Sequence, residues 1–146
     1  MSERKRTLII RALWVLAAVW FIVLMRLTVF RRGCFTHGLF TGTIRLEAFA
    51  YYAKLLRTGK LGYFCYLFFG NIVWFAPAGF VVRMRRGSLL HALIAGFALS
   101  LFVEVMQFVL GSGDTELDDL ILNTLGALIG YAFGCLCLKR LVPREA

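Results

Sequence analysis

Most of what marks a soluble enzyme or a secreted scaffold is missing from this sequence. Its only histidines, His37 and His91, fall in separate segments, and no nucleophile–base pair or metal-binding set gathers around either. The four cysteines, Cys34, Cys65, Cys135 and Cys137, show neither zinc-type spacing nor the framework of a small disulfide-rich domain. Three of them lie in apolar runs, where cysteine behaves as a small hydrophobe. Acidic residues are scarce, eight against 17 Lys and Arg, for a net charge of +9. The basic residues sit in short clusters between apolar runs and form no face that could track phosphates. No nucleic-acid partner, metal, cofactor or catalytic residue is expected. Nor does a small-x-small cleavage site follow the Arg4-Lys5-Arg6 start, and Arg31-Arg32-Gly33-Cys34 is a poor lipobox. The first apolar run therefore reads as an uncleaved anchor.

What the chain has in abundance is apolar surface: 60% of its 146 residues are apolar or aromatic, with a mean hydropathy of +0.78. A single domain of this size could not hide so much from water, so lipid must take the place of the missing interior. A helix needs about 20 mostly apolar residues to cross the hydrocarbon core. Four runs qualify: Leu8 to Phe30, Leu61 to Val82, Leu89 to Leu110 and Leu117 to Leu138. The expected fold is all-α, one polytopic bundle of about four transmembrane helices with no independent soluble domain.

Basic residues set the direction of the spans. Arg4, Lys5, Arg6 and Arg11 precede or open the first. Arg83, Arg85 and Arg86 lie between the second and third, and Lys139, Arg140 and Arg144 follow the fourth. The turn Gly111 to Glu116 carries no basic residue. Both termini are therefore expected inside, with the acidic turn outside. Segment 31–60 must then be external although it holds Arg31, Arg32, Arg45, Lys54, Arg57 and Lys60. Ile44, Ala48, Tyr51, Tyr52 and Leu55 recur there at helical spacing, which fits an amphipathic helix on the outer leaflet. A solvated loop and a re-entrant turn stay open beside it.

Polar residues inside the spans carry most of the functional information. In the third, Ala92, Gly96, Ser100 and Glu104 recur every four residues on one face, extended by Gln107. In the fourth, Asp119 and Asn123 are four apart, followed by the Gly126, Gly130 and Gly134 repeat that lets membrane helices approach closely. These two helices run antiparallel. Their small residues share the inner half, and Glu104, Gln107, Asp119 and Asn123 share the outer half, with Glu104 about 9 Å below the outer end of its helix. Tight closure below and a polar outer cleft above are expected, with Asn71 from the second span beside it. A charge at mid-helix costs about 3 kcal/mol, so an intramembrane acid is a functional candidate by default. Glu104 can stay neutral by donating to Asn123 or Gln107, and the whole set can equally be a hydrogen-bond network that holds the bundle. Pro77, two residues before Gly79, frees a carbonyl one turn earlier and can shape the cleft. The acidic turn lacks the ligand alternation of a calcium loop. Asp118 is expected to cap the fourth helix instead.

Taken in order, Asn71-x5-Pro77-x-Gly79, Glu104-x2-Gln107 and Asp119-x3-Asn123-x2-Gly126-x3-Gly130 resemble the VanZ-like family of bacterial membrane proteins, over roughly Arg11 to Leu138. The resemblance implies a multi-pass protein of the bacterial cytoplasmic membrane, and the family's namesake is linked to low-level teicoplanin resistance. Many relatives carry an arginine in the outer turn where this chain has Gly111-Ser112-Gly113, a departure that argues against a bound anion there. Three functions follow for comparison. One is an envelope protein whose cleft engages membrane lipid, a lipid-linked precursor or a lipoglycopeptide. The second is an enzyme on a lipid-linked substrate with Glu104 and Asp119 as acid and base. The third is a small transporter with Glu104 as a proton site, against which the absence of inverted repeats counts. Oligomeric state is open in all three.

Overall fold

The structure is a computed structural model that describes residues 2–31, 38–139 and 141. Cys34, His37, Arg140 and Arg144, which the sequence assigns to one or the other side of the membrane, lie outside the described residues. Among the described residues, four helices are long and apolar enough to cross a membrane: α1 (Glu3–Thr28), α3 (Leu61–Met84), α4 (Leu89–Leu110) and α5 (Leu117–Cys137). A short helix, α2 (Ala50–Arg57), and two strands of two residues each, β1 (Ile44–Arg45) and β2 (Thr115–Glu116), complete the order. The fold is thus an all-helical bundle with little strand.

Local chemistry sets the turns. Ser88 and His91 form a reciprocal capping box at the start of α4. At its other end Gly111 adopts a left-handed φ of 56°, which glycine takes without steric cost, and the chain reverses.

The tightest packing joins α3 and α5, where the sequence pattern placed close approach between the third and fourth spans. A Cβ on Gly126 would overlap the Ile72 backbone, and one on Gly130 the Ala76 carbonyl. In return, a Cβ on Gly79 would overlap the Ala127 carbonyl. The paired positions rise together along both chains, so α3 and α5 run parallel. Helix α4 lies antiparallel on another face of α5, with Gly96 against Ala127 and Thr124. One helix thus presents two small-residue faces, Gly126–Gly130–Gly134 to α3 and Asn123–Ala127 to α4. Without a hydrophobic drive between helices in lipid, such close van der Waals contact is what holds them together.

Helix α1 leans on this trio through Leu24 and Val29, which bury with Phe75, Val103 and Leu110. The Trp20 indole donates to the Trp74 carbonyl at 2.8 Å, beside the Val73 carbonyl that Pro77 deprives of its usual donor. Helix α3 runs unbroken through Pro77. Leu8, Val15, Leu16 and Ile22 of α1 stay exposed, as expected of side chains facing lipid.

Segment 38–60 differs from the amphipathic helix the spacing predicts. Ile44 is in β1, which pairs in parallel with β2, Ile44 opposite Thr115 and Arg45 opposite Glu116. Phe49 takes a left-handed φ of 57°, so Ala48 is outside the helix and α2 begins only at Ala50. The apolar face of α2 is spent on protein: Tyr52 and Leu55 are buried, and the Tyr52 ring meets Phe64 and Phe68 of α3 edge-on at 5.8 Å each. The segment is a strap across one end of the bundle.

Candidate functional site

Beneath that strap lies a cavity of about 660 Å3. Asn71, Gln107 and Asp119 line it, together with Tyr51, Tyr52, Tyr63, Tyr66 and Trp74, and Arg31 and Arg45 at its charged edge. All four long helices and the strap contribute, α1 through Leu27 and Thr28, and α3 and α5 bring Asn71 and Asp119 to the same level. The Asn71 amide donates to Asp119 Oδ1 at 2.5 Å and lies 3.5 Å from the Tyr52 hydroxyl. Burial, and then the charge of Asp119, push the Tyr52 phenol well above its usual range. It remains a hydrogen-bond donor at any physiological pH.

Of the five polar residues the sequence assigns to the cleft, Asn71, Gln107 and Asp119 line this cavity and Glu104 and Asn123 do not. Asn123, 2% exposed, is wedged between α5 and α4, where its amide donates to the Ser100 hydroxyl at 3.0 Å. The same hydroxyl lies 3.4 Å from the Asp119 carbonyl. Ser100 is therefore a polar link between two helices as well as a small packing residue. Glu104, 3% exposed, pairs with neither Asn123 nor Gln107. Its carboxylate accepts the Glu116 backbone N–H at 2.8 Å, and Thr115 Oγ1 donates to the Glu104 carbonyl at 3.0 Å. The α4–α5 turn folds back over α4 and brings its own amide to the acid, so the nearer donor wins. Gln107 donates from Nε2 to the Thr28 carbonyl at 3.3 Å, tying α4 to the end of α1.

Asp118 is also differently employed. The helix N-cap is Glu116 and makes no side-chain cap bond, whereas Asp118 Oδ1 accepts the Phe49 N–H at 2.7 Å. It pins the left-handed turn of the strap to the first turn of α5.

Sequence reasoning passed over Arg31, Arg45 and Tyr52. A signal for the two arginines was present: segment 31–60 was too basic for an external loop under the positive-inside rule. Arg45 meets Asp114 at 2.7 Å and Glu116 at 3.4 Å, and Arg31 Nε donates to the Ser112 carbonyl. Arg45 thus complements the acids of the turn, and Arg31 one of its carbonyls. Burial pushes the Glu116 carboxyl up, an effect the Arg45 guanidinium opposes. Among the described residues, no group of three or more metal-ligating side chains forms.

Glycine-mediated packing of α3 on α5, with Asn71 and Asp119 joined at its polar end, is therefore shared by the motifs Asn71-x5-Pro77-x-Gly79 and Asp119-x3-Asn123-x2-Gly126-x3-Gly130. The chain matches the VanZ/LLP1 family over residues 12–138. It belongs to that family. The matched stretch holds all four long helices except the first turns of α1, so the VanZ/LLP1 region and the bundle are one unit. No curated protein and no solved structure matches the chain.

Proposed function

We propose that this VanZ/LLP1 protein works at the outer face of a bacterial cell membrane, with both termini inside, and that its cavity engages a membrane-anchored envelope ligand and so lowers susceptibility to teicoplanin. One observation carries the reading: a cavity of about 660 Å3 at one end of a membrane bundle combines a half-buried acid–amide pair with tyrosines and a tryptophan. Aromatic rings with a polar tip suit the level where headgroups meet acyl chains. Teicoplanin carries a fatty-acyl tail and vancomycin does not. Each buried methylene contributes about 0.8 kcal/mol to anchoring, so the tailed drug gathers at the leaflet where the cavity opens. An acid–base pair of Glu104 and Asp119 finds no support, because Glu104 is spent on the Glu116 amide away from the cavity wall.

The test is expression in a susceptible Gram-positive host, reading inhibitory concentrations for both drugs. Resistance to teicoplanin should rise more than resistance to vancomycin, and Asp119→Leu, expressed at equal level, should erase the difference. Equal shifts for the two drugs, or no shift with the protein present in the membrane, would refute the reading.

A further inference from the structure

The cavity holds a cation where the sequence of the turn has none. Arg31 follows α1, its Nε donates to the Ser112 carbonyl, and its guanidinium lies over Gly113, where a Cβ would collide with it. A guanidinium from another segment thus sits on a turn that has no basic residue of its own, and glycine at 113 is what makes room for it. A guanidinium has five donors in a fixed fork. Among the described residues Arg31 spends one of them and has no carboxylate within ion-pair distance, whereas Arg45 is held by Asp114 and Glu116.

A second, independent feature asks for the opposite kind of partner. Gln107 is 7% exposed, lines the cavity, and its Oε1 has no hydrogen-bond donor among the described residues. A buried acceptor left without a donor is costly, so a ligand that donates there is favoured. Asp119, an acceptor with one amide partner, stands on the same wall system. The charge balance then decides between ligands. Two cations, Arg31 and Arg45, face three carboxylates, Asp114, Glu116 and Asp119, so a simple anion meets net repulsion. A head that brings both signs does not.

We propose that the cavity binds a phosphoethanolamine head, its phosphate on the Arg31 guanidinium and its ammonium on Gln107 Oε1 and the Asp119 carboxylate. This rests on reading the cavity as a ligand site and names the ligand's chemistry. The head can come from an ethanolamine phospholipid or from the free phosphate ester.

The full chain is reconstituted in phosphatidylcholine nanodiscs and titrated calorimetrically with dihexanoyl-phosphatidylethanolamine, dihexanoyl-phosphatidylcholine, dihexanoyl-phosphatidylglycerol and free phosphoethanolamine. Choline keeps the charge but has no N–H to donate, and glycerol donates from hydroxyls without a positive charge. The ethanolamine lipid should bind at least tenfold more tightly than both other lipids. Gln107→Leu should remove its advantage over choline. Gly113→Ala, which displaces the guanidinium without deleting it, should weaken binding at least tenfold, as should Arg31→Ala. Free phosphoethanolamine binding as tightly as the lipid supports the site and makes the soluble ester its source; weaker binding assigns it to the lipid. Equal affinity for ethanolamine and choline, glycerol binding as tightly as ethanolamine, or full affinity in both arginine-site variants would overturn the proposal. None of these arms contains a drug, so their failure leaves the teicoplanin reading standing, and the reverse holds too.

Discussion

Glu104 of α4 accepts the backbone N–H of Glu116, the residue that opens α5, at 2.8 Å. The first amides of a helix have no partner within it, and a carboxylate is their strongest acceptor. An acid deep in one membrane helix thus fixes where the next begins. Glu104→Leu should destabilise the bundle by about 1–3 kcal/mol, the cost of a buried orphan donor. Glu104→Gln retains an acceptor oxygen and should lose less than half as much. Thermal unfolding of the two variants in one detergent checks this. Equal losses would mean that the Glu104 charge matters and the shared hydrogen bond does not.

The glycines of α5 lead to a graded expectation. Gly130→Ala drives a methyl into the Ala76 carbonyl, a backbone atom that cannot step aside. Overpacking of this kind typically costs about 1–3 kcal/mol. Gly134→Ala meets only the Arg83 side chain and the Phe80 ring, at 3.1–3.3 Å, and should cost less. Gly62→Ala in α3 meets nothing within 4 Å and should be neutral or stabilising, because alanine is the better helix former. The order of unfolding temperatures should be Gly62→Ala, then Gly134→Ala, then Gly130→Ala. A Gly130→Ala protein as stable as the wild type would remove the close α3–α5 contact.

The bundle was legible because each span is a long apolar run bounded by charge, and lipid leaves a chain little choice but helix there. The polar pairings were not. Spacing put Glu104 and Gln107 on the Ser100 face of α4, but it could not show that the turn at 112–116 folds back and offers Glu104 an amide. Nor could it show that the glycine face of α5 turns toward α3, since either neighbour satisfies a four-residue repeat. The strap failed for a related reason. Ile44 and Tyr52 look like one helical stripe until the backbone breaks at Phe49, and Asp118, 69 residues away, is what pins that break to the bundle.

The side on which the cavity opens is testable with thiols. Leu56 on α2 is 50% exposed at the cavity end, and Cys137 is exposed at the end of α5. Arg85 and Arg86 are exposed near that second end, while Arg83 is buried against Gly134. The positive-inside rule puts Cys137 inside. In intact cells a membrane-impermeant thiol reagent should label Leu56→Cys, made in a background lacking the native cysteines. A protein whose sole thiol is Cys137 should stay unlabelled until the cells are opened. The reverse pattern would place the cavity inside and end the outer-leaflet reading.

The Asn71–Asp119 pair separates structure from function within the cavity. The amide donates to the carboxylate at 2.5 Å across the α3–α5 contact, and such interhelical bonds are worth about 1 kcal/mol in a membrane. Asn71→Asp alone sets two carboxylates against each other and should lower stability. The double variant Asn71→Asp/Asp119→Asn restores one amide and one acid, so unfolding should recover to within about 1 kcal/mol of the wild type. Its negative charge, however, now sits on α3 and its amide on α5. A network that merely holds the bundle would regain teicoplanin resistance together with stability. A site that reads the position of the charge would regain stability alone, and that second outcome is the one expected here. The same protein preparations serve both measurements, stability in detergent and inhibitory concentration in the host. Recovery of both would move Asp119 from the functional set to the structural one.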